Sequence, residues 1–189
     1  MKVKPTSKKG RVIIELDRKD EALLAPPSVF QLKQIVVPID FSDTSHKALQ
    51  YAVPFAAQFG ARLILLHVIE PFALPAELGY VPPEVENAGR TAMKGALEKL
   101  AELCQHQLGA KCLSQASVRM GVPWHEITAA AKESAADLII ISTHGHTGLK
   151  HVLVGSTAER VVRHAPCPVL VVREREHDFV DGPPSPIQA

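Results

Sequence analysis

The chain has 189 residues, 46% of them hydrophobic and 22% charged, an ordinary composition for a globular protein with one sizeable core. Lys and Arg number 21 against 20 Asp and Glu, and a formal charge of +1 argues against nucleic acid or an anionic lipid surface as an obligatory partner. No apolar run approaches the roughly 20 residues that span a bilayer, and "MKVKPTSKKGR" has no apolar stretch behind its charges, so a cytoplasmic protein without a membrane partner is expected.

Residues 1–30 read as an N-terminal extension: a Lys-rich start, then "GRVIIEL" with the β-branched content of one strand over 11–16, then charges and the proline-broken "APPS". Such a strand could add to a sheet edge or pair with a partner chain. "KQIVVPI" (Lys33 to Ile39) is a short apolar run that predicts a buried strand. The following "DTSHKALQYAVPFAAQFG" places Ala48, Tyr51, Ala52, Phe55, Ala56 and Phe59 at helical spacing and ends on Gly60. Pro54 inside that helix is expected to kink or distort it. "ARLILLHVIE" predicts a second strand, and a Pro-rich loop from Pro71 to Pro83 leads to a long helix from Glu84 to Leu108, closed by Gly109. "AKCLSQASVRM" alternates as a third strand, and Pro123 stands where the first turn of a helix tolerates it, opening "PWHEITAAAKESA". "ADLIIIS", Ser156 to His164, and "CPVLVVR" follow as strand, helix and strand. Residues 174–189, "EREHDFVDGPPSPIQA", have too few apolar side chains to offset the entropy of ordering and read as a flexible tail. Five mostly non-alternating strands separated by helices predict an open, doubly wound parallel α/β sheet covered on both faces over residues 31–173.

In such sheets ligands bind beyond the carboxyl ends of the strands. After the fourth strand, Gly145, Thr147, Gly148, Gly155, Ser156 and Thr157 concentrate groups that hold phosphate: glycines admit close backbone approach, and a helix beginning at Ser156 offers free N–H groups and a favourable dipole. The same residues also fit a plain glycine-bearing connection ending in a Ser cap, and local pattern leaves both open. Neither a P-loop nor the G-x-G-x-x-G dinucleotide signature is present. In "PIDFSD", Asp40 could accept from a ribose hydroxyl or an adenine amino group while the Pro38 and Ile39 backbone lines a flat base; Ser42 or Asp43 could simply cap the helix.

His144 and His146 flank Gly145 and could approach phosphate, but no metal-ligand spacing occurs among the nine histidines, and no metal site is expected. His67, inside an apolar strand, reads as a hydrogen-bonded core histidine, and Trp124 as packing. Cys104, Cys112 and Cys167 match neither C-x-x-C nor a zinc pattern and read as reduced structural thiols. No catalytic residue is expected: G-x-S-x-G is missing, and Cys167 has no evident base nearby.

"IVVPIDFSDTSHKALQYA", "LILLHVIEP" and "GVPWHEITAAAKESAADLIIISTHGHTGLKHVLVGSTAERVVRHAPCPVLVVR" resemble the universal stress protein family over about Leu32 to Arg173. The resemblance implies strand order 3-2-1-4-5 in an adenine-nucleotide alpha-hydrolase-like fold. It also implies a homodimer through the last strand, here Pro168, Val169, Leu170, Val171 and Val172. ATP-binding members carry G-x-x-G, nine residues, then G-[ST]; on this chain the pattern falls on Ser142, Gly145, Gly155 and Ser156. Carried over position by position, the resemblance assigns the adenosine part to Pro38, Ile39, Asp40 and Val68. The phosphates fall to Ile141, Ser142, Thr143, His144, Gly145, His146, Thr147 and Gly148 with Gly155, Ser156, Thr157 and Ala158. The implied cofactor is ATP, with Mg as a possible companion. Ser142 replaces the first glycine; in a left-handed conformation a serine costs about 1 kcal/mol, which should weaken and not abolish binding. The resulting expectation is a dimeric stress-response regulator or sensor, binding ATP or another adenine nucleotide without fast catalysis. The alternatives are a nucleotide-free dimeric interaction scaffold and, by fold analogy alone, a slow ATPase.

Overall fold

The computed structural model describes residues 2–5, 12–15, 31–71, 82–108, 112–143 and 155–174. The chain divides into two compact units, Met1–Gln31 and Leu32–Ala189. In the first, β1 (Lys2–Pro5) and β2 (Val12–Glu15) pair antiparallel, Lys2 opposite Glu15 and Pro5 opposite Val12. β2 lies where one strand was expected, and its partner is β1 of the same chain. The expected flexible tail lies outside the described residues from 175 onward.

The second unit runs β3 (Gln34–Pro38), α1 (Asp43–Phe59), β4 (Arg62–Ile69), α2 (Pro83–Leu103), β5 (Ser114–Met120), α3 (Pro123–Glu133), β6 (Leu138–Ser142), α4 (Ser156–His164) and β7 (Val169–Val172). The strands form one parallel sheet in the order β5-β4-β3-β6-β7, which is 3-2-1-4-5 counted within the unit. α2 stops at Leu103 and passes into a wider π-type turn over Cys104–Leu108, so the helix expected to reach Leu108 is shorter than read.

Alternate residues of each central strand enter opposite layers. Ile35, Val37, Leu63, Leu65 and Ile140 pack under α1 and α2 with Leu49, Ala52, Ala56 and Leu100. Val36, Ile64, Leu66, Ile139 and Ile141 pack under α3 and α4 with Ile127, Ala131, Ala158 and Val161. Burial on both faces is why β3, β4 and β6 read as continuous apolar runs. Among the described strands β5 pairs with β4 alone, and it is only partly buried, which accounts for its alternating sequence.

Local signals set the ends of the elements. Ser42 caps α1, its side chain accepting from Ser45 N–H at 3.2 Å, and Gly60 closes the helix at φ 65°, a left-handed position that glycine adopts without strain. α1 carries Pro54 in its interior and still continues to Phe59, where Phe55, Ala56 and Phe59 keep the apolar face against the sheet. At the amino ends of the strands, Asp137 Oδ2 accepts from Lys33 N–H (2.6 Å) and Gln34 N–H (2.9 Å), and Asp137 N–H donates to the Gln34 carbonyl (2.9 Å). Among the described residues no helix is long and apolar enough to cross a membrane.

Candidate functional site

The chain leaves β3 toward α1 on one face of the sheet and leaves β6 toward α4 on the other. In an open α/β sheet this reversal, at the carboxyl ends of two neighbouring strands, is where a ligand crevice forms.

On the β3 side, Pro38 ends the strand, and buried Ile39 donates its N–H to the Leu66 carbonyl at 2.8 Å. Asp40 comes next. Its Oδ1 accepts from Ser42 N–H (3.0 Å) and from Ser42 Oγ–H (2.5 Å), and Ser42 Oγ lies 2.9 Å from Thr44 Oγ1. The helix cap is therefore Ser42; Asp43 is the first helical residue, and Asp40 sits outside the helix with its carboxylate oriented by Ser42. On neighbouring β4, Val68 packs toward the α3/α4 layer and His67 faces the other side, where its Nδ1 hydrogen-bonds the Ile39 carbonyl at 2.7 Å. The hydrogen bond is the one expected from the sequence, but His67 is half-buried and not a core residue.

On the β6 side, Ile141 is buried and Ser142 closes the strand opposite Val172 of β7. Thr143, only 2% exposed, donates its N–H to the Val172 carbonyl (2.9 Å), and its own carbonyl accepts from Gly155 N–H (2.7 Å). These two bonds hold the start of α4 beside the end of β6. Gly155 is the N-cap residue at φ −64°, ψ 150°, and no side chain caps the helix. Ser156 is exposed, Thr157 half-buried and Ala158 buried. The first-turn amides and the helix dipole make this end a suitable seat for an anion. Glu159, the acid in the same turn, is paired 2.7 Å away with Arg163, one turn further along.

Ser142 is a strand residue, and the non-glycine residues with positive φ among those described are Phe41 and Ala135. The strain considered for a serine at this position does not arise. His144, Gly145, His146, Thr147 and Gly148 lie outside the described residues. Pro38, Ile39, Asp40, Val68, Ile141, Ser142, Thr143, Gly155, Ser156, Thr157 and Ala158 all lie at or just beyond the carboxyl ends of β3, β4 and β6.

Residues 31–173, about three quarters of the chain, match the universal stress protein family. The chain belongs to that family. A universal stress protein of Methanocaldococcus jannaschii is 39% identical over 147 residues, covering 75% of this chain and 82% of the relative. The solved structure of a universal stress protein from Lactobacillus plantarum is 30% identical with TM-score 0.64, covering 77% of this chain and all of the other. Two more distant structures share the fold: a universal stress protein in complex with cAMP (21% identical, TM-score 0.56) and one from Archaeoglobus fulgidus in complex with dAMP (20%, TM-score 0.50). Both of those proteins were captured with an adenine nucleotide.

Burial, helped by the negative charge of Asp137, pushes the Cys167 thiol up from its ordinary range, so it stays protonated and weakly nucleophilic at neutral pH. Among the described residues, Cys104, Cys112 and Cys167 form no disulfide. Among the described residues no three His, Cys, Asp or Glu side chains cluster closely enough to hold a metal ion. Trp124 packs against the α3/α4 layer, with its ring 5.0 Å from that of His164 and 6.0 Å from the Arg160 guanidinium.

Thr143 was among the residues assigned to phosphate, and its backbone bonds to Val172 and Gly155 leave no local pattern in the sequence. One residue of this region was not singled out from sequence. Phe41 sits in the left-handed region at φ 64°, a conformation that the propensity of a bulky residue argues against.

Proposed function

We propose that this universal stress protein binds an adenine nucleotide, ATP in the first place, at the carboxyl ends of β3, β4 and β6, and acts as a dimeric cytoplasmic stress-response regulator without fast catalysis. The observation that carries the reading is the uncapped amino end of α4, held beside Ser142 and Thr143 by the 2.7 Å bond from Gly155 N–H to the Thr143 carbonyl. A polyphosphate there would accept from the Ser156, Thr157 and Ala158 amides and from the two hydroxyls, with the dipole of α4 favouring its charge. Asp40, oriented by Ser42, supplies an acceptor for a ribose hydroxyl; Pro38, Ile39 and Val68 supply apolar and backbone surface for the base. Any Mg would be held chiefly by the phosphates. Adenine nucleotides in two proteins of the same fold support this choice of ligand class.

Among the described strands β7 pairs with β6 alone, and its outer edge fits pairing with a second copy through Pro168 to Val172. The test is to denature natively purified protein and identify the released small molecules by mass spectrometry, with calorimetric titration of Mg-ATP and AMP and light scattering for mass. Adenine nucleotide in the supernatant and a dimer mass are expected. Absence of nucleotide, together with no heat on titration at millimolar Mg-ATP, would overturn the ligand assignment.

A second reading, a nucleotide-free interaction scaffold, draws on the separate β1–β2 unit. Deleting Met1 to Phe30 separates the two: loss of partner capture with ATP affinity intact would place the function in the extension.

A further inference from the structure

On the side of β4 opposite Val68, between that strand and α2, lies a cleft of about 420 Å³, within the size range of metabolite sites. Phe41, His67 and Ile69 form one wall; Ala92, Gly95, Ala96 and Lys99 of α2 form the other.

Two residues at this cleft break local rules. Phe41 is a bulky residue in the left-handed region, and that conformation sets its ring against His67, with centroids 4.7 Å apart, and beneath Lys99, whose ammonium is 5.5 Å from the ring centre. Gly95 interrupts the middle of a 21-residue helix, and a side chain built there meets no atom within 4 Å. Glycine inside a helix is unfavourable unless something needs the space, and backbone strain tends to persist where a site uses it. Both costs fall on the same cavity, where Phe41 also packs against the α1/α2 side of the core and Gly95 leaves open space.

We infer that this cleft is a second ligand site, for a small carboxylic acid with an aromatic body. The ring would lie against Phe41, Ile69 and the Ala92–Gly95–Ala96 face of α2. Its carboxylate would reach Lys99, which meets no carboxylate among the described residues and is left to the Phe41 ring. His67 has Nδ1 committed to the Ile39 carbonyl, which fixes the ring as part of the wall. A polyphosphate does not suit this cleft, since one ammonium with no helix amino terminus is too little to hold it. The site is thus separate from the proposed nucleotide site, with β4 between them.

The experiment uses the full chain and saturation-transfer NMR with phenylacetate, 3-phenylpropionate and the uncharged phenylacetamide. At millimolar concentration both acids should show transfer, and the amide should bind several-fold more weakly. Lys99→Met should weaken phenylacetate about three- to fivefold, the scale of an exposed ion pair, and bring acid and amide level. Gly95→Leu should abolish transfer while keeping or raising Tm, because it fills the cleft and improves helix propensity; circular dichroism confirms that it folds. Saturating ATP should leave the phenylacetate signal in place. The inference is overturned if neither acid binds, if the amide binds as well as the acid, if Gly95→Leu binds like the wild type, or if ATP displaces phenylacetate. The first three outcomes leave the ATP reading untouched.

Discussion

Replacing Gly155 by aspartate should move stability and nucleotide binding in opposite directions. The backbone at Gly155, φ −64° and ψ 150°, is open to any residue, and the position is the uncapped N-cap of α4. Aspartate is a preferred N-cap residue; its carboxylate would accept from the Thr157 or Ala158 N–H and complement the helix dipole. The gain is a few tenths to about 1 kcal/mol, or up to about 4 °C in Tm for a protein of this size. Those amides are the ones assigned to phosphate, and the new charge would stand beside it. Two like charges about 4 Å apart repel by about 4 kcal/mol at an effective dielectric constant of about 20. Exposure and salt screen this to about 1.5–3 kcal/mol, or about 10- to 100-fold in Kd. Calorimetric titration of Mg-ATP and thermal unfolding on the same preparations read both quantities. Gly155→Ala serves as the control: it adds no charge and leaves the amides free, so its affinity should change by less than about threefold. A Gly155→Asp protein that melts at or above the wild-type temperature and binds ATP within about twofold of it would refute the placement of phosphate at α4.

Ser142→Gly should leave ATP affinity within about threefold, because Ser142 is an unstrained strand residue; it should lower Tm by about 2–4 °C through the backbone entropy of a strand glycine, read by differential scanning fluorimetry and titration. Asp137→Ala removes the acceptor for the Lys33 and Gln34 amides, one exposed and one part-buried, and should cost about 2 kcal/mol in urea unfolding with nucleotide affinity unchanged, since these bonds lie at the far end of the strands. The Arg119 guanidinium, by hydrogen bond and charge, holds the Glu133 carboxyl below the usual glutamate range. Its contribution is therefore present above the ordinary glutamate pKa and lost as pH falls through the lowered value. Glu133→Gln should flatten that acid limb of the stability–pH curve by slightly lowering stability near neutral pH and leaving it unchanged below the lowered value, where wild type and variant converge.

The main sheet was legible because its central strands are buried on both faces. "QIVVP" and "LIIIS" carry no polar alternation, since Val36 and Ile139 meet α3 and α4 while Ile35 and Ile140 meet α1 and α2. The helix starts were legible where one residue does the work: Ser42 before α1, and Pro123 at the first position of α3. Legibility failed where the signal is short or non-local. β1 has four residues, two of them lysines and one a proline, and only its pairing with Val12–Glu15 makes it a strand. The end of α2 shifted from Leu108 to Leu103 because "LCQHQL" contains no residue that must stop a helix.

The same distinction divides the candidate site. "PIDFSD" offered a cap or a ligand contact, and sequence could not assign them; Ser42 takes the cap and turns Asp40 toward itself, which separates the two roles within three residues. Ser142 stands where the motif carries glycine, yet the relevant quantity is a backbone angle, and the ladder with Val172 decides it. Strand pairing holds Ser142 extended whatever its side chain, so a glycine at this position is not required for conformation. Any need for it must come from how closely a ligand approaches the backbone, and that makes nucleotide affinity, not fold stability, the measure of what the serine changes.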